Sequence, residues 1–193
     1  MAPGTGISDR AVQRMLLDYA RATARHALDA SVPMSAVPPI VPGAFGGLFV
    51  TLWNRGVLRG CVGTFEPTHD LVCAVREASR SVLADSRFVA NPVTGKELAE
   101  ISIELSVLSI PQLAAEPTSL VIGVHGILIR SADRSGCFLP KVAIEKRWSA
   151  EEFLSNCCTM KAGLPADAWR KQETSVYWFT AESFSDADVE RQR

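Results

Sequence analysis

The sequence predicts an α+β protein with a mainly antiparallel sheet and flanking helices. Segments with apolar residues at helical spacing are interspersed with segments of strict two-residue alternation. Two pairs of the strand-like segments are joined by short loops, which is typical of antiparallel hairpins. The regular strand–helix–strand alternation of a parallel sheet is absent. A chain of 193 residues fits one domain, so we expect residues 1–193 to form a single domain.

Composition excludes several classes of protein. The formal net charge of −1 gives no electrostatic footprint for nucleic acid or an anionic membrane. No apolar run approaches the roughly 20 residues of a membrane span, and "MAPGTGISDR" lacks the apolar core of a signal peptide. Five cysteines, scattered apart from Cys157 and Cys158, argue against a disulfide framework and for a reducing compartment. A cytoplasmic globular protein is expected.

The first part of the chain predicts a helix, a connector and a hairpin. Residues 8–28 place apolar side chains on one helical stripe. Residues 31–47 contain too many prolines and glycines for a helix or central strand, so they form a connector within the domain. Residues 48–53 alternate as a strand, and the chain resumes strand character at Val57 after the turn "NRG".

The middle of the chain predicts a second helix and a further strand. The helix follows Thr68, which is a suitable N-cap residue. The strand "ISIELSVLS" begins near Ile101 and stops at Pro111. Its alternation places Ser106 and Leu108 on the face opposite the apolar one.

The remaining segments predict another hairpin, two helices and a closing strand. "GVHGILIRS" and "SGCFLP" form the hairpin, and Pro140 opens a short helix. Ser149 and Glu152 have the spacing of a capping box that begins the next helix, which ends at Gly163. "TSVYWFTAESF" is predicted as one strand. The residues predicted to be largely buried are Val12, Met15, Leu16, Tyr19, Leu71, Val75, Val82, Ile101, Ile103, Leu105 and Val107.

The segment "LRGCVGTFEP" raises the main functional question. In a regular strand Arg59 and Cys61 point to one face, about 7 Å apart, and a guanidinium so close favours the nucleophilic thiolate. Gly60 and Gly63 remove bulk and allow a ligand or another backbone to approach. The alternative is a small buried cysteine whose neighbouring glycines serve strand packing. The residues alone leave both interpretations open.

Other candidate residues are weaker. His125, between two glycines in "GVHGI", is either structural or catalytic. Asp85 and Arg87 in "DSRF" either reach an anionic group or make a local turn contact. Glu104 is either a solvated residue of the sheet face or a general base. Nucleotide-binding, hydrolase and metal-binding motifs are absent, so we predict no metal and no cofactor.

The segments "LRGCVGTFEP", "DSRF", "GVHGI" and "LPKVA" followed by Trp148 resemble the AMMECR family in order and separation. The family is named after the Alport syndrome, mental retardation, midface hypoplasia and elliptocytosis chromosomal region. The resemblance covers roughly residues 8–184, and it departs at Val62, where isoleucine is usual, and in "RFVANP", where the family tends to place prolines directly after "RF". It implies a two-lobed α+β domain with a cleft between the lobes and an unsettled molecular activity.

The resemblance also implies partners and a site. Microbial relatives are often encoded beside, or fused to, a Memo-like dioxygenase-type domain and a radical SAM protein, which for this chain would be separate partners. In an enzyme, Cys61 would be a nucleophilic or redox-capable residue acting on a small substrate, by hydrolysis or group transfer, and His125 would be the proton carrier. In a non-catalytic module, the cleft would hold an anionic metabolite or a protein partner. The substrate-binding residues expected in the cleft are Arg59, Gly60, Gly63, Thr64 and Arg87.

Overall fold

The protein divides into two compact units. The computed structural model describes residues 7–39, 41 and 43–190, with the backbone alone at 189 and 190. The smaller unit comprises Leu108–Ala181, and the larger unit comprises the described residues up to Val107 together with those from Glu182 onward. Each unit has its own hydrophobic core. The predictions for residues 1–6, 40 and 42 lie outside the described residues.

Six helices and eight strands are found in the part of the chain that the structure describes. The helices are α1 (Arg10–Leu28), α2 (Leu71–Ser81), α3 (Gly95–Leu98), α4 (Pro140–Lys146), α5 (Ala150–Cys157) and α6 (Asp186–Glu190). The strands are β1 (Gly47–Asn54), β2 (Val57–Thr64), β3 (Ser102–Leu108), β4 (Gln112–Leu113), β5 (Gly126–Ser131), β6 (Arg134–Phe138), β7 (Ser175–Phe179) and β8 (Ala181–Ser185).

Two four-stranded sheets confirm the α+β class. The sheet of the larger unit has the strand order β2–β1–β3–β8, and β1 and β2 are antiparallel. The sheet of the smaller unit has the order β4–β7–β5–β6, and its neighbouring strands are antiparallel. Both predicted hairpins, β1–β2 and β5–β6, are therefore confirmed.

Helix α1 shows how the apolar pattern positions the core. The Asp9 carboxylate accepts a hydrogen bond from the Ala11 amide, which satisfies one of the donors left unpaired at a helix start. Leu16, Leu17 and Tyr19 are buried. Of the eleven residues predicted to be buried, nine are, whereas Val12 and Met15 are half-buried against the same core.

The predicted start of α2 is wrong by two residues. The N-cap is Asp70, whose carboxylate accepts a hydrogen bond from the Cys73 amide. The Thr68 hydroxyl instead accepts from the Asp70 amide, so it forms a turn before the cap. Both residue types suit the N-cap position, and the pattern alone does not choose between them.

The predicted closing strand is in fact two strands. Thr180 interrupts the run, because its amide donates to the Ser109 hydroxyl and its carbonyl accepts from the Ser109 amide. Strand β7 precedes this break and β8 follows it, in different sheets.

The second face of β3 is also buried. Ser106 and Leu108 are buried along with the apolar face of β3, and the Ser106 hydroxyl bonds to that of Ser183.

The predicted cap of α5 is confirmed. The Ser149 hydroxyl accepts from the Glu152 amide, and the Glu152 carboxylate accepts from the Ser149 amide, which is the complete capping box. After α5 the helix continues as a wider π-helical turn. This turn ends at Gly163, whose φ of 64° is left-handed. Within the described residues, no helix is both long and apolar enough to cross a bilayer.

Candidate functional site

Strand β2 carries the "LRGC" segment and contains an irregularity at Arg59. Leu52 of β1 pairs with Gly60, but the next β1 residue, Trp53, pairs with Leu58. Arg59 is therefore the extra residue of a β-bulge, which bends the strand and re-aims its side chains. The prediction that Arg59 and Cys61 share a face assumed regular alternation, which the bulge interrupts.

Cys61 is half-buried, and its sulfur, amide and carbonyl each form a hydrogen bond. Its sulfur accepts a hydrogen bond from the hydroxyl of Thr51, the residue directly opposite on β1, at 3.2 Å. Its amide donates to Asp85 Oδ2 at 2.9 Å, and its carbonyl accepts from Arg87 Nη2 at 3.0 Å. These bonds fix the backbone on both sides of the sulfur.

Asp85 is a buried carboxylate that joins the "DSRF" turn to β2. Besides the Cys61 amide, it accepts from the Arg87 amide and from Nε and Nη2 of the Arg87 guanidinium, the last at 2.6 Å. The Arg87 guanidinium is the main reason that the pKa of Asp85 is held well below its usual value. The local turn contact considered for this pair is confirmed.

Arg59 is engaged by an acidic residue that the sequence analysis missed. Its Nε lies 2.5 Å from Glu97 Oε1, its Nη2 lies 3.1 Å from Glu97 Oε2, and Nη2 also donates to the Asn91 carbonyl. This two-point pairing is the geometry in which arginine binds carboxylates most strongly. The Arg59 guanidinium is also the main cause that lowers the pKa of Glu97. Arg59 is therefore not an unpaired cation beside the thiol.

Helix α3 positions Glu97, and one sequence signal could have found it. Thr94 precedes Glu97 by three residues, the spacing of a capping box, and the Thr94 hydroxyl accepts from the Glu97 amide. The Glu97 side chain binds Arg59 instead of closing that box. Phe88 was also missed, and the guanidinium carbons of Arg59 and Arg87 lie 5.7 and 5.6 Å from its ring centre.

Gly60 and Gly63 serve close backbone packing. A Cβ at Gly60 would lie 2.8 Å from the Val82 carbonyl oxygen, which belongs to the turn after α2. A Cβ at Gly63 would lie 2.1 Å from the Leu48 carbonyl oxygen of β1. Of the two alternatives that the sequence left open, approach of another backbone accounts for both glycines, while a ligand contact stays a prediction.

A pocket opens beside the end of β2 rather than at the Cys61 side chain. It has a volume of about 390 Å³ and includes Thr64 and Gly63 in its wall. We call it the β2–α2 pocket; its lining residues are Val62, Gly63, Thr64, Glu66, Pro67, Thr68, Asp70, Cys73, Ala74, Glu77, Ala78 and Ser81.

Cys73 is the thiol in the β2–α2 pocket. It is half-buried, and its sulfur lies 3.5 Å from both Glu77 Oε1 and Arg76 Nη2. Helical spacing alone gives no reason to distinguish this cysteine from a packing residue, so the sequence did not point to it.

His125 belongs to the smaller unit, whereas Cys61 belongs to the larger one. Its Nδ1 accepts a hydrogen bond from the Val121 amide at 3.0 Å, so the proton of the neutral ring is on Nε2. The ring stacks on Trp178 at 5.1 Å, and partial burial lowers the pKa of His125. The Cys61–His125 dyad stays a prediction.

None of the five cysteines forms a disulfide. Cys157 and Cys158 are buried, and burial raises the pKa of both thiols, so packing explains this vicinal pair. Among the described residues, no group of three or more histidine, cysteine or acidic side chains has the arrangement of a metal site.

These features define an α+β protein with two antiparallel sheets, flanking helices and a half-buried free thiol next to a β-bulge. The family model AMMECR1 matches residues 17–184. The chain is 42% identical over 160 residues to a protein of Methanothermobacter thermautotrophicus, a match that covers 78% of this chain and 82% of the relative. It is 41% identical over 151 residues to a protein of Thermococcus kodakarensis, covering 72% of each.

A solved structure agrees with these sequence matches. The crystal structure of an uncharacterised protein from Pyrococcus horikoshii is similar to this chain with a TM-score of 0.78 and 34% sequence identity, covering 91% of this chain and 92% of that one. This chain belongs to the AMMECR1 family.

Proposed function

We propose that this protein binds a small polar ligand of neutral or cationic character in the β2–α2 pocket. The observation that carries the proposal is the lining of that pocket, which contains three carboxylates and no lysine or arginine. Its volume of about 390 Å³ falls within the range of small-molecule sites, roughly 300–1,000 Å³. The wall begins one residue after Cys61, in the segment that carries the family resemblance.

The charges of the site favour an amine over the anionic metabolite that the sequence analysis considered. Arg59 and Arg87, the cations expected to bind an anion, are paired with Glu97 and Asp85. Glu66 and Glu77 bring negative charge to the β2–α2 pocket. Opposite charges attract more strongly in a partly enclosed pocket than in bulk water.

Protection of Cys73 from alkylation tests this proposal. The rate of N-ethylmaleimide modification at Cys73 is measured by peptide mass spectrometry, with putrescine, glycerol or acetate present at equal ionic strength. We expect putrescine to slow the reaction, and Glu66→Gln to reduce that protection. The matched control is Glu151→Gln, which removes an exposed carboxylate in the smaller unit. Equal rates with putrescine and acetate, or equal protection in both variants, would refute an amine-binding pocket.

A second proposal keeps Cys61 as a nucleophile, supported by its half-buried sulfur and the Thr51 hydroxyl that donates to it. The sulfur would form a bond to an electrophilic carbon of a small substrate. As that bond forms, the bond from the carbon to its leaving group would break, and the leaving group would take the proton that the thiol gives up; water would then attack the same carbon, release the product and return a proton to the sulfur. Thr64 would contribute to substrate binding.

Selective trapping of Cys61 tests the second proposal. We expect iodoacetamide to label Cys61 faster than Cys137, which is also half-buried, and Cys61→Ser to remain folded. Resistance of Cys61 to labelling in the native protein, or unfolding of Cys61→Ser, would identify the residue as part of the packing.

We also propose a location and partner proteins for this chain. Free thiols at all five cysteines support a cytoplasmic location. We propose that Memo-like or radical SAM proteins act as separate partners. Sedimentation of the purified chain with each purified partner tests this association, and unchanged sedimentation of the mixture would contradict it.

A further inference from the structure

A second pocket lies beside α1 and α2 in the larger unit. Its volume is about 310 Å³, and it is lined by Thr23 and His26 of α1, by Met34 of the connector, and by Arg76, Glu77 and Arg80 of α2. We call it the α1–α2 pocket. It shares only Glu77 with the β2–α2 pocket, and its positive charge contrasts with the carboxylates there.

The arginines of the α1–α2 pocket differ from those around Cys61 in having no strong acidic partner. Arg76 makes one long bond, at 3.5 Å, to the Cys73 sulfur. Arg80 forms no side-chain hydrogen bond or ion pair with any residue that the structure describes. The carboxylate of Glu77 is 3.5 Å from the Cys73 sulfur. Two guanidiniums against one carboxylate leave the pocket with positive charge.

His26 presents one ring nitrogen to a ligand. Its Nδ1 lies 2.7 Å from the Val32 carbonyl oxygen, and because a carbonyl can only accept, Nδ1 carries a proton. Nε2 is therefore the ring nitrogen left for the pocket, where it can accept a hydrogen bond from a hydroxyl of the phosphate or of its carrier. The nearby Asp29 carboxylate accepts bonds from the amide and hydroxyl of Ser31.

Thr23 adds an unsatisfied hydroxyl. The residue is 1% exposed, and its Oγ1 has no hydrogen-bond partner among the described residues. Helical threonines commonly bond to a carbonyl one turn earlier, and buried polar groups are rarely left unpaired. An orphaned donor in a pocket with two arginines and a histidine would be satisfied by an oxygen of an anion bound there.

We propose that the α1–α2 pocket binds the phosphate group of a small metabolite. Arg76 and Arg80 pair with its oxygens, a geometry that guanidinium groups favour, the Thr23 hydroxyl donates to it, and His26 Nε2 accepts from a hydroxyl of the phosphate or of its carrier. The volume lies at the lower end of the range for ligand sites, which fits a phosphate on a short carrier. The proposal requires no ligand in the β2–α2 pocket, and the lining of the α1–α2 pocket does not include Cys61.

Calorimetric titration with inorganic phosphate and with glycerol phosphate, at constant ionic strength, tests the site. We expect Arg76→Gln and Arg80→Gln each to weaken binding about tenfold, as expected for loss of a hydrogen bond to a charged group, and Glu77→Gln to strengthen it. The matched control is Arg55→Gln, which removes an exposed arginine outside the pocket and should bind as the parent does. Binding of inorganic phosphate alone would identify free phosphate as the ligand, and binding of the ester would identify a phosphorylated metabolite.

Thr23→Val provides a readout that a merely structural role would not give. Removing an unpaired buried hydroxyl should raise the melting temperature without phosphate, while the loss of a donor should weaken phosphate binding. The proposal is overturned if neither probe binds at about 10 mM, a concentration that would reveal even a millimolar Kd, or if the arginine variants bind as tightly as Arg55→Gln.

Discussion

The Arg87 guanidinium closes a two-point pair with the buried carboxylate of Asp85, with Nη2 2.6 Å from Oδ2 and Nε 3.0 Å from Oδ1. The same carboxylate receives the Cys61 amide, and the same guanidinium donates to the Cys61 carbonyl. The backbone of Cys61 is thus fixed by the ion pair of Asp85 and Arg87, which belong to another segment of the chain. The geometry of the "LRGC" strand therefore depends on "DSRF".

Replacing Asp85 should destabilise the larger unit. Asp85→Ala leaves the Cys61 amide and the Arg87 guanidinium without their acceptor, a loss of about 1–3 kcal/mol in the free energy of unfolding. Urea denaturation measures it. Asp18→Ala is the control, because Asp18 is 63% exposed in a surface pair and should change stability by less than about 1 kcal/mol. Equal effects from the two variants would show that the Asp85 bonds contribute little.

The contribution of Asp85 should disappear in acid. Its pKa is lowered in the folded protein, mainly by the Arg87 hydrogen bond. Above the unfolded pKa of about 4 the carboxylate is ionised in both states, and its stabilisation is complete. As the pH falls further, the unfolded chain binds a proton first, so stability is lost towards the folded pKa.

Comparison with Asp85→Asn isolates this effect from other carboxylates. We expect the difference in unfolding free energy between the parent and the variant to be constant from about pH 7 to 5 and to shrink below about pH 4. Urea titrations at each pH measure it. A difference that grows on acidification would have the wrong sign for a lowered pKa.

Gly60→Ala should destabilise the protein by overpacking. The new methyl would lie 2.8 Å from the Val82 carbonyl oxygen and 3.0 Å from Val82 Cγ2, and the backbone oxygen cannot rotate away. We expect a loss of about 1–3 kcal/mol in thermal or urea unfolding. Gly95→Ala is the control, because a Cβ there meets nothing within 4 Å, and it should be neutral or stabilising. A stable Gly60→Ala protein would return Gly60 to the ligand interpretation.

Apolar periodicity predicted the elements of this fold because burial follows the repeat of each secondary structure. It succeeded for α1 and both hairpins, where local residues decide the outcome. It failed at Thr180, since a strand that changes sheets has the same alternation as a continuous one. The hydrogen bonds to Ser109 that mark this break depend on a residue 71 positions away.

The candidate site was harder to predict because its contacts join distant segments. The sequence identified Arg59, Cys61 and Arg87 but not the partners that determine their charge environment. Glu97 lies 38 positions from Arg59, and the β-bulge that re-aims Arg59 leaves no mark in the apolar pattern. Only the contact between Asp85 and Arg87, which are two positions apart, could be predicted from neighbouring residues in the sequence.

Ser149→Ala tests the best-defined cap. The Ser149 hydroxyl accepts from the Glu152 amide, and the variant leaves that donor without its side-chain acceptor. We expect a loss of about 1 kcal/mol in the free energy of unfolding. Ser35→Ala is the control and should leave stability unchanged, because Ser35 is exposed in the connector and its side chain makes no hydrogen bond with a described residue. Unchanged stability in Ser149→Ala would mean that water replaces the cap without loss.

The last prediction concerns which arginine governs the reactivity of Cys61. Alkylation proceeds through the thiolate, and a nearby cation stabilises that anion. Sequence spacing assigns this role to Arg59. Both guanidiniums are paired with carboxylates, Arg59 with Glu97 and Arg87 with Asp85, but Arg87 also donates to the carbonyl of Cys61 itself. The rate of iodoacetamide labelling at Cys61 should therefore fall more in Arg87→Leu than in Arg59→Leu. Labelling at Cys73 in the same samples is the internal control for reagent activity. A larger fall in Arg59→Leu would restore the sequence-based assignment and would mean that the Glu97 pair does not neutralise Arg59 at the thiol.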